Sequence, residues 1–103
     1  MTQPAMWRAD LTEPLLNLLW MGGVGDFQTG KGHEYYTPAA LASALDSYNA
    51  TLLEVCRQTS VECIDLAAML PKDETTFYDD VHFNETGSRR VAQVVADYLL
   101  RQP

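Results

Sequence analysis

Val61-Glu62-Cys63-Ile64-Asp65-Leu66 is the stretch on which the fold turns. It is rich in β-branched residues and alternates in polarity, so it reads as a short strand with Asp65 at its C-terminal end. A long helix precedes it. Thr37 suits the N-cap and Pro38 the first helical position. Leu41, Leu45, Tyr48, Leu52 and Val55 then recur at spacings of three and four, which predicts one buried stripe over about five turns. A second helix follows, from Ser88 to Leu100, with Val91, Val94, Val95, Tyr98 and Leu99 on one face. Asn84 or Thr86 would cap it, and Glu85 suits its positive end. A strand between two long helices is the pattern of a βαβ unit, and a lone strand needs sheet neighbours to satisfy its backbone. No other segment reads as a convincing strand. The expected fold is therefore α/β, with most of the sheet strands missing from this chain.

The remaining segments frame that unit. Residues 1–9 are irregular, with Trp7 packing on something. A short helix is expected from Asp10 or Thr12, with Pro14 in its first turn and Leu15, Leu16, Leu18, Leu19 and Trp20 too apolar to be solvated, ending before Gly22-Gly23. Residues 22–36 form a glycine-rich loop. Within it, Gly25-Asp26-Phe27-Gln28-Thr29-Gly30-Lys31 matches the first seven positions of a phosphate-binding loop. Gly32 stands where the Mg²⁺-binding Ser or Thr belongs, no strand leads in and no helix follows, so a nucleotide site is not expected there. Ala67 to Leu70 reads as one helical turn before Pro71.

With 103 residues, of which 47% are hydrophobic and 20% charged, the sequence fits one soluble globular unit. The net charge of -7 disfavours nucleic acid as a partner, and Arg89-Arg90 is the only basic cluster. No apolar run approaches the roughly 20 residues of a membrane span, and residues 1–10 lack the features of a signal peptide. Cys56 and Cys63 are the only cysteines. Two reduced, half-buried thiols are the expected state; a bridge is open, since the helix–turn–strand loop brings them near each other.

The chemistry lies in Phe77-Tyr78-Asp79-Asp80-Val81-His82-Phe83-Asn84-Glu85-Thr86-Gly87. If Asp79 to His82 is a turn, the carboxylate reaches the imidazole Nδ1–H. It then fixes the tautomer and stabilises the imidazolium formed when His82 takes a proton. Asp80 competes for the role, one residue too close in sequence.

These residues, in this order, resemble the C-terminal half of the SGNH hydrolases, also called the GDSL esterase/lipase family. Asp79-Asp80-Val81-His82 looks like the family's Asp-x-x-His block, followed by Gly87 and an amphipathic helix. Tyr48-Asn49, Val61 to Leu66 as the last strand, and Thr2-Gln3-Pro4 as the segment after the preceding strand reinforce it. The resemblance implies that residues 1–103 are the C-terminal part of one domain, a three-layer α/β/α sandwich of flavodoxin-like type around a parallel sheet. It implies His82 as general base and Asp79 as its orienting acid. The reaction is hydrolysis of a carboxylic ester through an acyl-enzyme, with no metal or organic cofactor. The family's Gly-Asp-Ser nucleophile block and its oxyanion-hole Gly and Asn are not present here. Ser43, Ser47, Ser60 and Ser88, and Asn17, Asn49 and Asn84, lack the required context. The chain alone is expected to be inactive, needing a complementing N-terminal segment or another polypeptide.

Two other readings compete. One is a non-catalytic binding or structural module completed by a partner or homo-oligomer, with Asp79 and His82 merely capping the last helix and with Trp7 and Trp20 exposed. The other is a metal hydrolase using His33, Glu34, Asp79, Asp80 and His82, a set without recognisable ligand spacing.

Overall fold

The computed structural model describes residues 1–23 and 34–102. Four helices follow in order: α1 (Glu13–Leu16), α2 (Pro38–Thr59), α3 (Leu66–Met69) and α4 (Glu85–Leu100). The α/β sandwich expected from sequence is not what forms. The described residues contain no sheet, only two isolated antiparallel bridges, Gly23 with Tyr35 and Phe77 with Phe83. The fold is helical.

The physical reason lies in the segment first read as a strand. Residues 61–65 carry no β ladder, and Val61 and Glu62 are exposed. Their tie to the N-terminal segment is one backbone bond, from Thr2 N–H to the Ile64 carbonyl at 3.0 Å. A strand is stabilised by a row of such bonds, and one does not make a sheet. The segment is instead held at both ends. A disulfide joins Cys56 to Cys63, with Cα atoms 6.1 Å apart, in place of the expected reduced thiols. At the other end the Thr2 hydroxyl donates to Asp65 Oδ1 (2.9 Å) and accepts from Ala67 N–H (2.8 Å), so it serves as the cap of α3 in place of Asp65's own carboxylate.

The two long helices begin where local chemistry directs. Thr37 Oγ1 accepts from Ala40 N–H at the start of α2, and Pro38 occupies its first turn. Ser60, in the left-handed region at φ 55°, ends it, and Val61 N–H closes back onto the Cys56 carbonyl at 2.9 Å. Asn84 Oδ1 accepts from Gly87 N–H to cap α4, which starts at Glu85 rather than Ser88. α1 is much shorter than expected: four helical residues, then two turn-type bonds onto Leu15 and Leu16.

Burial does not follow the helical periodicity. The stripe on α2 is not interred: Tyr48 is 63% exposed, Val55 48%, and the helix's buried residues are Asn49 and Cys56. Among the described residues no sheet covers that face, and Leu41, Leu45 and Leu52 on it are only half-buried. The hydrophobic core lies elsewhere. Met6, Leu15 and Phe77 are buried together, with Leu11, Leu19 and Phe83 against them. It sits where the N-terminal segment, α1 and the Phe77–Phe83 turn meet, beneath the acid–imidazole pair.

Candidate active site

Residues 77–83 form a tight hairpin. Tyr78 N–H donates to the His82 carbonyl (3.1 Å), Asn84 N–H donates to the Thr76 carbonyl (3.0 Å), and the Phe77 and Phe83 rings pack at 5.3 Å. Phe77 is buried, which pins the base of the hairpin to the core. Its tip is Asp79 to His82.

Asp79 organises that tip. Its Oδ1 accepts the backbone N–H groups of Val81 (3.0 Å) and His82 (2.8 Å), an Asx-type turn that brings the ring of residue 82 back over residue 79. His82 Nδ1 then lies 2.8 Å from Asp79 Oδ2 and 3.1 Å from Oδ1. The expected acid–imidazole pair is therefore assembled. Asp79 is buried, whereas the His82 side chain is 50% exposed and stacks nearly parallel to the exposed Tyr78 ring at 5.6 Å. His82 Nε2 has no hydrogen-bond partner among the described residues. Burial pushes the Asp79 carboxyl up, but the His82 backbone N–H, the Trp20 indole, the Val81 N–H and the imidazole outweigh it, and the net holds it down to about 2.

Asp80 points the other way and is fully buried. Its Oδ1 accepts from Trp7 Nε1 at 3.0 Å and from the Tyr35 hydroxyl; its Oδ2 accepts Trp20 N–H at 2.6 Å and Met21 N–H at 3.3 Å. Met6 N–H donates to its backbone carbonyl at 2.8 Å. A carboxylate this deep is tolerated because several donors solvate it in place of water. Burial, and then the bond to Asp80, push the Tyr35 hydroxyl up to about 12. The consecutive acids thus divide the work: Asp79 faces the imidazole, and Asp80 ties residues 6–7, 20–21 and 35 to the hairpin. Sequence reasoning missed this cluster, and no local signal marks it, because its donors come from distant segments.

The other named residues fall elsewhere. Ser43 and Ser47 lie on α2, Ser60 in the turn after it and Ser88 on α4, and none is hydrogen-bonded to His82. Asn49 is engaged by Gln3, accepting its N–H and donating to its carbonyl, both at 2.8 Å. Asn84 caps α4 and donates to the Glu74 carbonyl at 2.7 Å. Each carboxamide is thus engaged in holding backbone. Among the described residues no three His, Cys, Asp or Glu side chains converge as a metal would require. His33 and the Gly25–Lys31 stretch lie outside the described residues.

A cleft of about 430 Å³ between α2 and α3, bordered by Asp46, Asn49, Asp65 and Lys72, does not include the dyad. Another, of about 380 Å³, is lined by Leu16, Leu19, Tyr35, Tyr36, Thr37 and Pro38, and shares Tyr35 with the Asp80 cluster. No described helix is long and apolar enough to cross a membrane.

No family model matches this chain, and comparison with curated proteins and with solved structures yields no match.

Proposed function

We propose that this chain carries the acid–base half of a serine-type ester hydrolase, with His82 as general base and Asp79 as the acid that orients it. The observation that carries the reading is the 2.8 Å contact between His82 Nδ1 and a buried Asp79, on a ring whose Nε2 has no partner among the described residues. An imidazole held in this way has its tautomer selected, and its cationic form is stabilised by the carboxylate when Nε2 takes a proton. The resemblance of Asp79-Asp80-Val81-His82 to the Asp-x-x-His block of the SGNH hydrolases supports the same assignment. In such a reaction a serine hydroxyl attacks the ester carbonyl, His82 receives the hydroxyl proton, and the same proton passes to the leaving alcohol as the tetrahedral intermediate collapses to the acyl-enzyme. Water then repeats the cycle and releases the acid. The serine and the oxyanion donors come from outside the residues that surround His82.

The competing reading, a dyad that merely caps the last helix, finds less support. Asn84 is the residue that caps α4, and the dyad makes no contact with the first amides of that helix.

The test uses an activated ester. An imidazole with a free Nε2 attacks p-nitrophenyl acetate directly, so the 103-residue chain should release p-nitrophenol faster than background. His82→Ala should abolish that excess while His33→Ala leaves it, and Asp79→Asn should lower it by about tenfold. Release unaffected by His82→Ala would falsify the assignment. A fluorophosphonate adduct on a serine, lost with His82→Ala, would instead show that the described chain holds its own nucleophile.

A further inference from the structure

Trp20 touches both members of the acid pair. Its indole Nε1–H donates to Asp79 Oδ2 at 3.0 Å, and its backbone N–H donates to Asp80 Oδ2 at 2.6 Å. The next amide, Met21 N–H, adds to the same Asp80 oxygen at 3.3 Å. Asp79 and Asp80 are joined by one peptide bond, so these contacts close a ring from Asp80 through Trp20 to Asp79.

The consequences for the imidazole follow from counting acceptors. Asp79 Oδ1 is fixed by two backbone amides of its own turn. Oδ2, the oxygen nearer to His82 Nδ1, has one other protein donor among the described contacts, the Trp20 indole. Without that donor the plane of the carboxylate is held only by the Oδ1 contacts and by the imidazole it is meant to orient. With it, the Oδ2 lone pair is aimed at Nδ1 from a fixed direction. Trp20 is itself half-exposed at 47%, and its backbone bond to a fully buried Asp80 contributes to holding it in place.

We infer that Trp20 is a positioning residue for the dyad: Asp80 anchors its backbone, and its indole N–H fixes the Asp79 carboxylate that selects the Nδ1–H tautomer of His82. The inference rests on the proposed acid–base role only for its catalytic consequence; the tautomer itself is a property of the folded chain. The low position of the Asp79 carboxyl, to which the Trp20 bond contributes, agrees with it.

Ring-¹⁵N NMR of the full chain, with the two histidines separated by a His82→Ala spectrum, reads the tautomer directly. Above the imidazole titration the wild type should show His82 protonated at Nδ1. Trp20→Phe should shift the ring toward the Nε2–H form that free histidine prefers, and His82-dependent release of p-nitrophenol should fall by several-fold. Trp7→Phe, which removes a donor from Asp80 and from the neighbouring Tyr35 hydroxyl but none from Asp79, should leave the tautomer unchanged. A wild-type tautomer ratio in folded Trp20→Phe overturns the inference, and so does an equal shift in Trp7→Phe, which would mean general loosening. If Trp20→Phe fails to fold, a synthetic chain with benzothienylalanine at position 20, which removes only the N–H, gives the same reading. A tautomer shift without any His82-dependent esterolysis would leave this inference standing while the hydrolase reading falls.

Discussion

The hairpin region around Asp80 and helix α2 are held together in opposite ways. Around Asp80, four segments meet, joined by polar contacts to a buried residue: one indole, one hydroxyl and two amides donate to its carboxylate, and a third amide donates to its carbonyl. Helix α2 is regular over 22 residues and carries an apolar stripe, yet most of its residues are exposed. Among the described residues it is tied by Asn49 to the Gln3 backbone, by Cys56 to Cys63 and by a loose ion pair from Asp46 to Lys72 at 3.9 Å. Helical periodicity and tertiary attachment are separate properties, and in this chain they reside in different places.

The comparison breaks most visibly at Asp80. Asp80→Ala strands the Trp7 indole, the Tyr35 hydroxyl and two amides in a water-poor site, and should cost about 3–5 kcal/mol or unfold the chain. Urea unfolding followed by circular dichroism checks this, and a loss under about 1 kcal/mol would show that the cluster does not hold these segments together. Acidity and alkalinity should probe the same region from two sides. Asp79 is depressed from 3.8 to about 2, so its contribution is present above pH 4 and is lost as pH falls through 2. Tyr35 is raised from 10.0 to about 12, so its contribution is full below pH 10 and is lost as pH rises through 12. Urea midpoints should therefore drop at both extremes, with Asp79→Asn removing the acid limb and Tyr35→Phe the alkaline one. An acid limb that survives in Asp79→Asn would place its origin in another carboxylate. The smallest effect belongs to α2. Tyr48→Ala, which the sequence pattern would rank with core truncations, should change the thermal midpoint by no more than about 0.5 kcal/mol allows. A loss of several kcal/mol would mean that the stripe is covered in solution.

Much of the local structure was legible because its causes are local. Thr37 and Asn84 cap helices three residues ahead of themselves, and the Asp79–His82 contact spans one turn. The failures were non-local. Alternation in Val61 to Leu66 predicts a face to bury but says nothing of whether a neighbouring strand exists to accept the backbone bonds. The apolar stripe of α2 likewise predicts burial only if something covers it. The cysteine spacing left bonding open, since it does not fix the Cα separation. In the sequence Asp80 reads only as a rival to Asp79 for the imidazole, because its donors stand at positions 7, 20, 21 and 35 and share no sequence pattern.

Thr2 gives α3 a different standing from the other helices. The caps of α2 and α4 are present as soon as their own turns form. The hydroxyl that caps α3 comes from 65 residues away, so the Ala67 amide is satisfied only after a long loop has closed. Closing that loop has an entropic cost that a four-residue helix cannot offset alone. The expected kinetic consequence is that α3 forms late, after the N-terminal segment docks, rather than acting as a seed for it.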